Sequence, residues 1–156
     1  MSASEAPKSL KRGKKGQVKA FASCADLDFS GLDLRKRTGL RSVTFSRSNL
    51  SEVNLSGMHL DKANFNEADL TRADLRKSKL HSANLQGACL LGARLEQAVL
   101  READLRNADL GEAILYGANF GRAELEGARF ADAKSDATTV WPKGFDPKIA
   151  GLLVDH

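Results

Sequence analysis

Residues 63–87 read ANFNE ADLTR ADLRK SKLHS ANLQG, one five-residue phrase repeated five times. The third residue of each phrase is Phe65, Leu70, Leu75, Leu80 or Leu85, and the first is Ala except at Ser78. Extended in both directions, the same phase puts Leu or Phe at every fifth residue from Leu40 to Phe130, nineteen positions without a miss. Beyond the quoted stretch these are Leu40, Phe45, Leu50, Leu55 and Leu60 on one side. On the other they are Leu90, Leu95, Leu100, Leu105, Leu110, Leu115, Phe120, Leu125 and Phe130. Phe29 and Leu34 continue the series toward the N-terminus after one extra residue within Arg35–Gly39. Each of these positions is termed a centre.

A period of five fits neither common element. On an α-helix each step of five turns the side chain about 140°, so no face stays apolar. On a straight strand an odd period sends successive leucines to opposite faces. Both conflicts vanish if the chain turns a corner in every phrase. The centre and the residue two before it then point inward together, and the other three face out or make the corner. Only a small side chain can share a narrow interior with Leu, which accounts for the alanines. Gly57, Gly87, Gly92, Gly117 and Gly127 all lie two after a centre, where a corner needs permissive backbone. Leu27, Leu32, Thr38, Val43, Val53 and Met58 replace the small residue, so the first coils are expected to be wider, with a bulge near Arg35–Arg37.

Units such as ADLTR (68–72), ADLRK (73–77) and ANLQG (83–87) resemble the pentapeptide-repeat family, and the resemblance covers roughly Asp28 to Ala133. It implies an all-β fold, a right-handed quadrilateral β-helix with four units per coil. About five coils follow, roughly 25 Å of body at ~4.8 Å per stacked strand. The segment TVWPKGFDP (139–147) resembles the terminal extension of many such proteins, with Trp141 and Phe145 as a lid over the Phe130 coil. The expected organisation is a basic, disordered tail over 1–20, the solenoid over 21–133, and a capping segment over 134–156 with a short helix over 147–153. Phe21 and Leu27 are the candidate N-terminal plug.

The charge is unevenly spread. Lys8, Lys11, Arg12, Lys14, Lys15 and Lys19 stand against Glu5 alone in residues 1–19, whereas Ser48 to His156 holds 13 basic and 16 acidic groups. Cys24 and Cys89 have no CxxC spacing and suggest neither a disulfide framework nor zinc. No signal-like apolar region and no apolar run of about 18 residues occurs. The cytoplasm is therefore the expected compartment, with a chloroplast or another reducing compartment open.

A convex prism offers no cleft to shift a carboxylate pKa, so no catalytic pair, cofactor or metal site is expected, and no enzyme. His59, His81 and Asp61 lack further ligands, and Cys89 reads as a surface thiol. The Asp or Asn before many centres is expected to hydrogen-bond across neighbouring coils. With four units per coil, Glu67, Asp69, Asp104, Asp109, Glu112, Glu124 and Glu126 gather on one side as a candidate acidic surface. The leading functional expectation is a scaffold for an unidentified protein partner, with a homodimer through the C-terminal end. The resemblance also implies an alternative, a DNA-mimicking modulator of DNA gyrase. A second alternative is attachment of the basic tail to nucleic acid or an anionic surface.

Overall fold

Each unit bends the chain at the same place. In the computed structural model, which describes residues 23–37 and 39–155, the residue two after the centre has positive φ at every unit from Ser42 to Asp132. Most of these corners are not glycine: Lys62, Glu67, Arg72 and Lys77 hold φ of 58°, 55°, 55° and 57°. The amide of the next residue closes the turn onto the centre's carbonyl, as in Ala63 N–H to Leu60 O at 3.0 Å. The expectations for segment 1–20, for Phe21 and for Thr38 lie outside the described residues.

Four such corners complete a coil. Thr44 bridges Asn64, Asn64 bridges Asn84, and Asn84 bridges Asp104, all in parallel and 20 residues apart. The chain is a right-handed quadrilateral β-helix. Near the N-terminus the step is 21, as in Asp28 to Asn49 and Asp33 to Asn54, so the inserted residue falls between Leu34 and Leu40 and the coil bulges there. Each unit sends three amides along the axis. Leu50 N–H donates to Asp69 O at 2.7 Å, Glu52 N–H to Thr71 O at 2.8 Å, and Asn64 N–H to Val43 O at 2.9 Å.

Four columns of centres result. The first face carries Phe29, Leu50, Leu70, Leu90, Leu110 and Phe130. The second carries Leu34, Leu55, Leu75, Leu95 and Leu115, the third Leu40, Leu60, Leu80, Leu100 and Phe120, and the fourth Phe45, Phe65, Leu85, Leu105 and Leu125. All are buried except Leu125, which lies in the last coil and is half-exposed. The alanines two before them fill the rest of the interior, and Val43, Val53 and Met58 occupy the same slot in the early coils. Leu27 and Leu32 are only partly buried.

The stack is longer at both ends than the Leu/Phe series. Cys24 is fully buried and donates its amide to Thr44 O at 2.7 Å, so it fills a centre of the fourth column. At the other end Ser135 continues the second column. It lies in β1 (Lys134–Asp136), which pairs in parallel with β2 (Leu153–Asp155). Val140 bridges Asn119, so Trp141 takes a centre of the third column and stacks on Phe120 at 4.8 Å. Phe145 stacks on Trp141 at 4.8 Å and packs on Phe130 at 5.4 Å.

The helix expected over 147–153 does not form. Residues 147–151 make a turn, with Leu152 N–H donating to Pro147 O at 3.0 Å and Gly151 at φ 82°. A left-handed glycine reverses the chain and lets Leu153 N–H reach Ala133 O at 2.8 Å, so the coil ladder takes these amides from a helix.

The Ser135 hydroxyl is buried without a hydrogen-bond partner, in a slot where every earlier unit of its column holds Leu. A buried unpaired hydroxyl costs about 1–3 kcal/mol. Ser135→Ala is therefore expected to raise stability by roughly 1 kcal/mol in urea melts. A lower midpoint would mean that the hydroxyl has a use in the folded chain.

Candidate interaction surface

The outward residues are fixed by the same repeat. Three of the five amides in a unit enter the ladder and one closes the turn. The fifth, just after the centre, points outward. Where Asp or Asn precedes the centre, its Oδ1 accepts that amide. Asn84 takes Gln86 N–H at 3.0 Å, Asp69 takes Thr71 N–H at 2.9 Å, and Asp109 takes Gly111 N–H at 3.0 Å. The expected bond across coils is thus replaced by one within the unit, because the ladder has already used the neighbouring coil's groups. That carboxamide or carboxylate satisfies the one leftover donor, which explains the AlaAspLeu and AlaAsnLeu phrases.

Arginines then settle on these caps. Arg76 and Arg106 clamp Asp74 and Asp104, each with Nη2 to Oδ2 at 2.6 Å, and Arg35 does the same to Asp33 at 2.7 Å. The guanidinium hydrogen bonds hold Asp74 and Asp104 below the ordinary carboxylate range against the opposing effect of burial, and bring exposed Asp33 to about 2.

The candidate acidic residues fall on the fourth and first faces, and the ion pairs divide them. Asp104 shares Arg106 with Glu124, whose Oε2 lies 3.1 Å from Arg106 Nε, and Asp109 is paired with Arg129 at 2.7 Å. Glu67, Asp69, Glu112 and Glu126 have no ion pair among the described residues and are exposed. On the third face the two carboxylates are both occupied: Asp61 by Arg41 at 3.2 Å and Glu102 by Arg122 at 3.3 Å. His59 lies 3.9 Å from Asp61 and His81 lies 3.6 Å from Glu102, so the two histidines sit beside separate carboxylates. No group of three or more metal-ligating side chains occurs among the described residues. Cys89, expected on the surface, is half-buried with Thr71 Oγ1 3.3 Å from its sulfur.

Two of the hollows among the described residues lie at the ends of the prism. One of about 220 Å³, lined by Arg37, Gly39, Leu40, Gly57, Met58 and His59, lies at the N-terminal bulge. The other, an open groove of about 500 Å³ beside the C-terminal loop, is lined by Glu96, Gln97, Tyr116, Gly117, Asp136 and Thr138. Its polar groups are mostly engaged with each other. Asp136 accepts from Gly117 N–H and from Thr138, and Tyr116 O–H donates to Asp155 at 2.6 Å, which raises the phenol's pKa. No helix among the described residues is long and apolar enough to cross a membrane.

The model of pentapeptide repeats matches residues 40–76 and 78–115 in eight copies. A solved pentapeptide-repeat protein of the cyanobacterium Cyanothece 51142 is 30% identical, with a TM-score of 0.56 over 76% of this chain and 90% of that one. The chain belongs to the pentapeptide-repeat family. A second cyanobacterial pentapeptide-repeat protein, from Nostoc PCC 7120, is 35% identical over 74% of this chain and 86% of that one, with a TM-score of 0.39. A plasmid-mediated fluoroquinolone resistance protein, QnrB1, is 16% identical over 86% of this chain and 90% of that one, with a TM-score of 0.37. No curated protein matches.

The depressed carboxylates give this pentapeptide-repeat protein a defined acid response. A folded-state pKa below the unfolded value of about 3.9 adds stability above that value and loses it as pH falls through the folded one. Asp74 and Asp104 should therefore steepen the loss of stability below about pH 4. Asp74→Asn with Asp104→Asn keeps an oxygen for the Arg76 and Arg106 amides but removes the charge. The double variant is expected to be flatter than wild type in melts between about pH 4 and 2. Equal slopes would remove the guanidinium clamps from the account.

Proposed function

We propose that the protein is a non-enzymatic scaffold that binds a basic protein partner through the acidic side of the solenoid. The observation that carries this is the row of unpaired, exposed carboxylates Glu67, Asp69, Glu112 and Glu126 on adjacent faces of a body held in register by its backbone ladder. Side chains on such a ladder are presented at fixed intervals, so a partner meets a preformed pattern and little ordering is needed on binding.

The gyrase alternative needs that side to imitate a continuous polyanion. Arg106 lies against Asp104 and Glu124, and Arg129 against Asp109, so three of the seven candidate acids are ion-paired and two of their three charges are offset. A discontinuous acidic pattern suits a discrete basic patch on a protein better than a groove built for duplex DNA. The scaffold reading extends to a homodimer at the C-terminal end, where Val140, Ile149 and Leu153 are 48%, 86% and 49% exposed.

The test uses the full chain and the variant Glu67→Lys, Asp69→Lys, Glu112→Lys, Glu126→Lys. Immobilised wild type is expected to retain a partner from lysate that the variant, with an unchanged melting curve, releases. Neither is expected to inhibit gyrase supercoiling. Identical retained sets would sink the acidic side as the binding surface. Supercoiling inhibition by wild type that the variant lacks would replace the scaffold with DNA mimicry.

A further inference from the structure

Ion pairing sorts the charge of the body onto opposite faces. On the third face and its two corners every carboxylate is spent: Asp61 on Arg41 and Glu102 on Arg122. Lys62, Lys77, Lys79 and Arg101 are exposed there and have no ion pair among the described residues. His59 and His81 lie on the same face, and the His59 and Lys79 backbones are bridged, one coil apart. The opposite, first face has the reverse balance: Glu52, Asp69, Glu112 and Asp132 have no ion pair among the described residues, against Arg72 alone of its cations, with Arg129 spent on Asp109.

From this we infer that the third face is a binding strip for the phosphate backbone of duplex nucleic acid. Three observations choose that partner. The cations recur along the axis at the coil spacing of ~4.8 Å, on a scale comparable with the backbone of a duplex. Among the described residues the strip holds no exposed Phe, Tyr or Trp for stacking, only the imidazoles of His59 and His81, which favours backbone contact over base readout. Of the large exposed apolar residues, Leu91 lies on the first face and Ile149 and Leu153 at the C-terminal end, while Val140 lies on the third face two coils beyond Arg101. Across the coils that carry Lys62, Lys79 and Arg101, a lipid surface would therefore find no large exposed apolar anchor among the described residues. The inference extends the reading of the faces as binding surfaces to a second face and a second class of partner, and it does not use the acidic side.

The basic N-terminal segment must be separated from the strip. The protein tested is the full chain with Lys8, Lys11, Arg12, Lys14, Lys15 and Lys19 changed to Gln. Its binding to a 20-base-pair duplex of arbitrary sequence is followed by fluorescence anisotropy from about 25 to 200 mM salt, with its melting curve as the check on folding. The four cations predict a log–log salt slope near −3.6. Adding Lys77→Gln, Lys79→Gln and Arg101→Gln should reduce the slope by about 3 and weaken binding at least tenfold at low salt. Glu112→Gln, on the opposite face, should not weaken it. The strip is ruled out if neutralising the N-terminal segment alone abolishes duplex binding, or if the three face substitutions leave the slope unchanged. Binding to phosphatidylserine vesicles without binding to the duplex would also overturn it.

Discussion

The width of the interior governs everything else. A coil of four short sides leaves room at each side for one Leu or Phe and one Ala, and this limit dictates the five-residue period. Parallel bridges 20 residues apart then follow, because a coil closes only when four units have been laid down. The ladder takes three amides per unit and the turn takes one. The remaining amide creates the demand for Asp or Asn before the centre. Arginine is drawn to those carboxylates, and the pattern of satisfied and unsatisfied charge descends from that. The surface chemistry is a consequence of a packing limit inside.

The interior also explains the ends. Leu and Ala suffice in the middle because each coil is covered by the next. Over Phe120 and Phe130 large flat rings take over. Trp141 lies nearly parallel to Phe120, at 3°, and Phe145 covers Trp141. In the early coils Phe29 and Phe45 pack edge to face at 5.4 Å, and Phe65 stacks on Phe45 at 5.3 Å. β2 then returns to pair with β1, which removes part of an open edge that could otherwise template association.

Much of this was legible in the sequence because a period of five is a geometric statement. The centres, the alanine slot, the corner glycines and the inserted residue after Leu34 could all be read from spacing alone. The number of units per coil and the hand could not, and came from family resemblance. Cys24, Ser135 and Trp141 escaped the pattern because they occupy centres without being Leu or Phe. The Asp and Asn before the centre cap an amide of their own unit, which spacing does not reveal. Counting which amides the ladder had already consumed requires the coil in three dimensions. The division of the acidic side was hidden for the same reason: Arg106 and Glu124 are 18 residues apart in sequence but in neighbouring coils.

A phase change measures the packing limit most directly. Deleting one whole unit, residues 71–75, keeps every remaining Leu and Ala in its slot and only moves later units round by one face. Deleting Thr71 alone carries all later centres out of phase. Thermal unfolding followed by far-ultraviolet circular dichroism should show a cooperative transition for the five-residue deletion. The one-residue deletion should lose it or melt far lower. Equal stability of the two deletions would mean that the interior does not enforce the period, and the account would fail at its base.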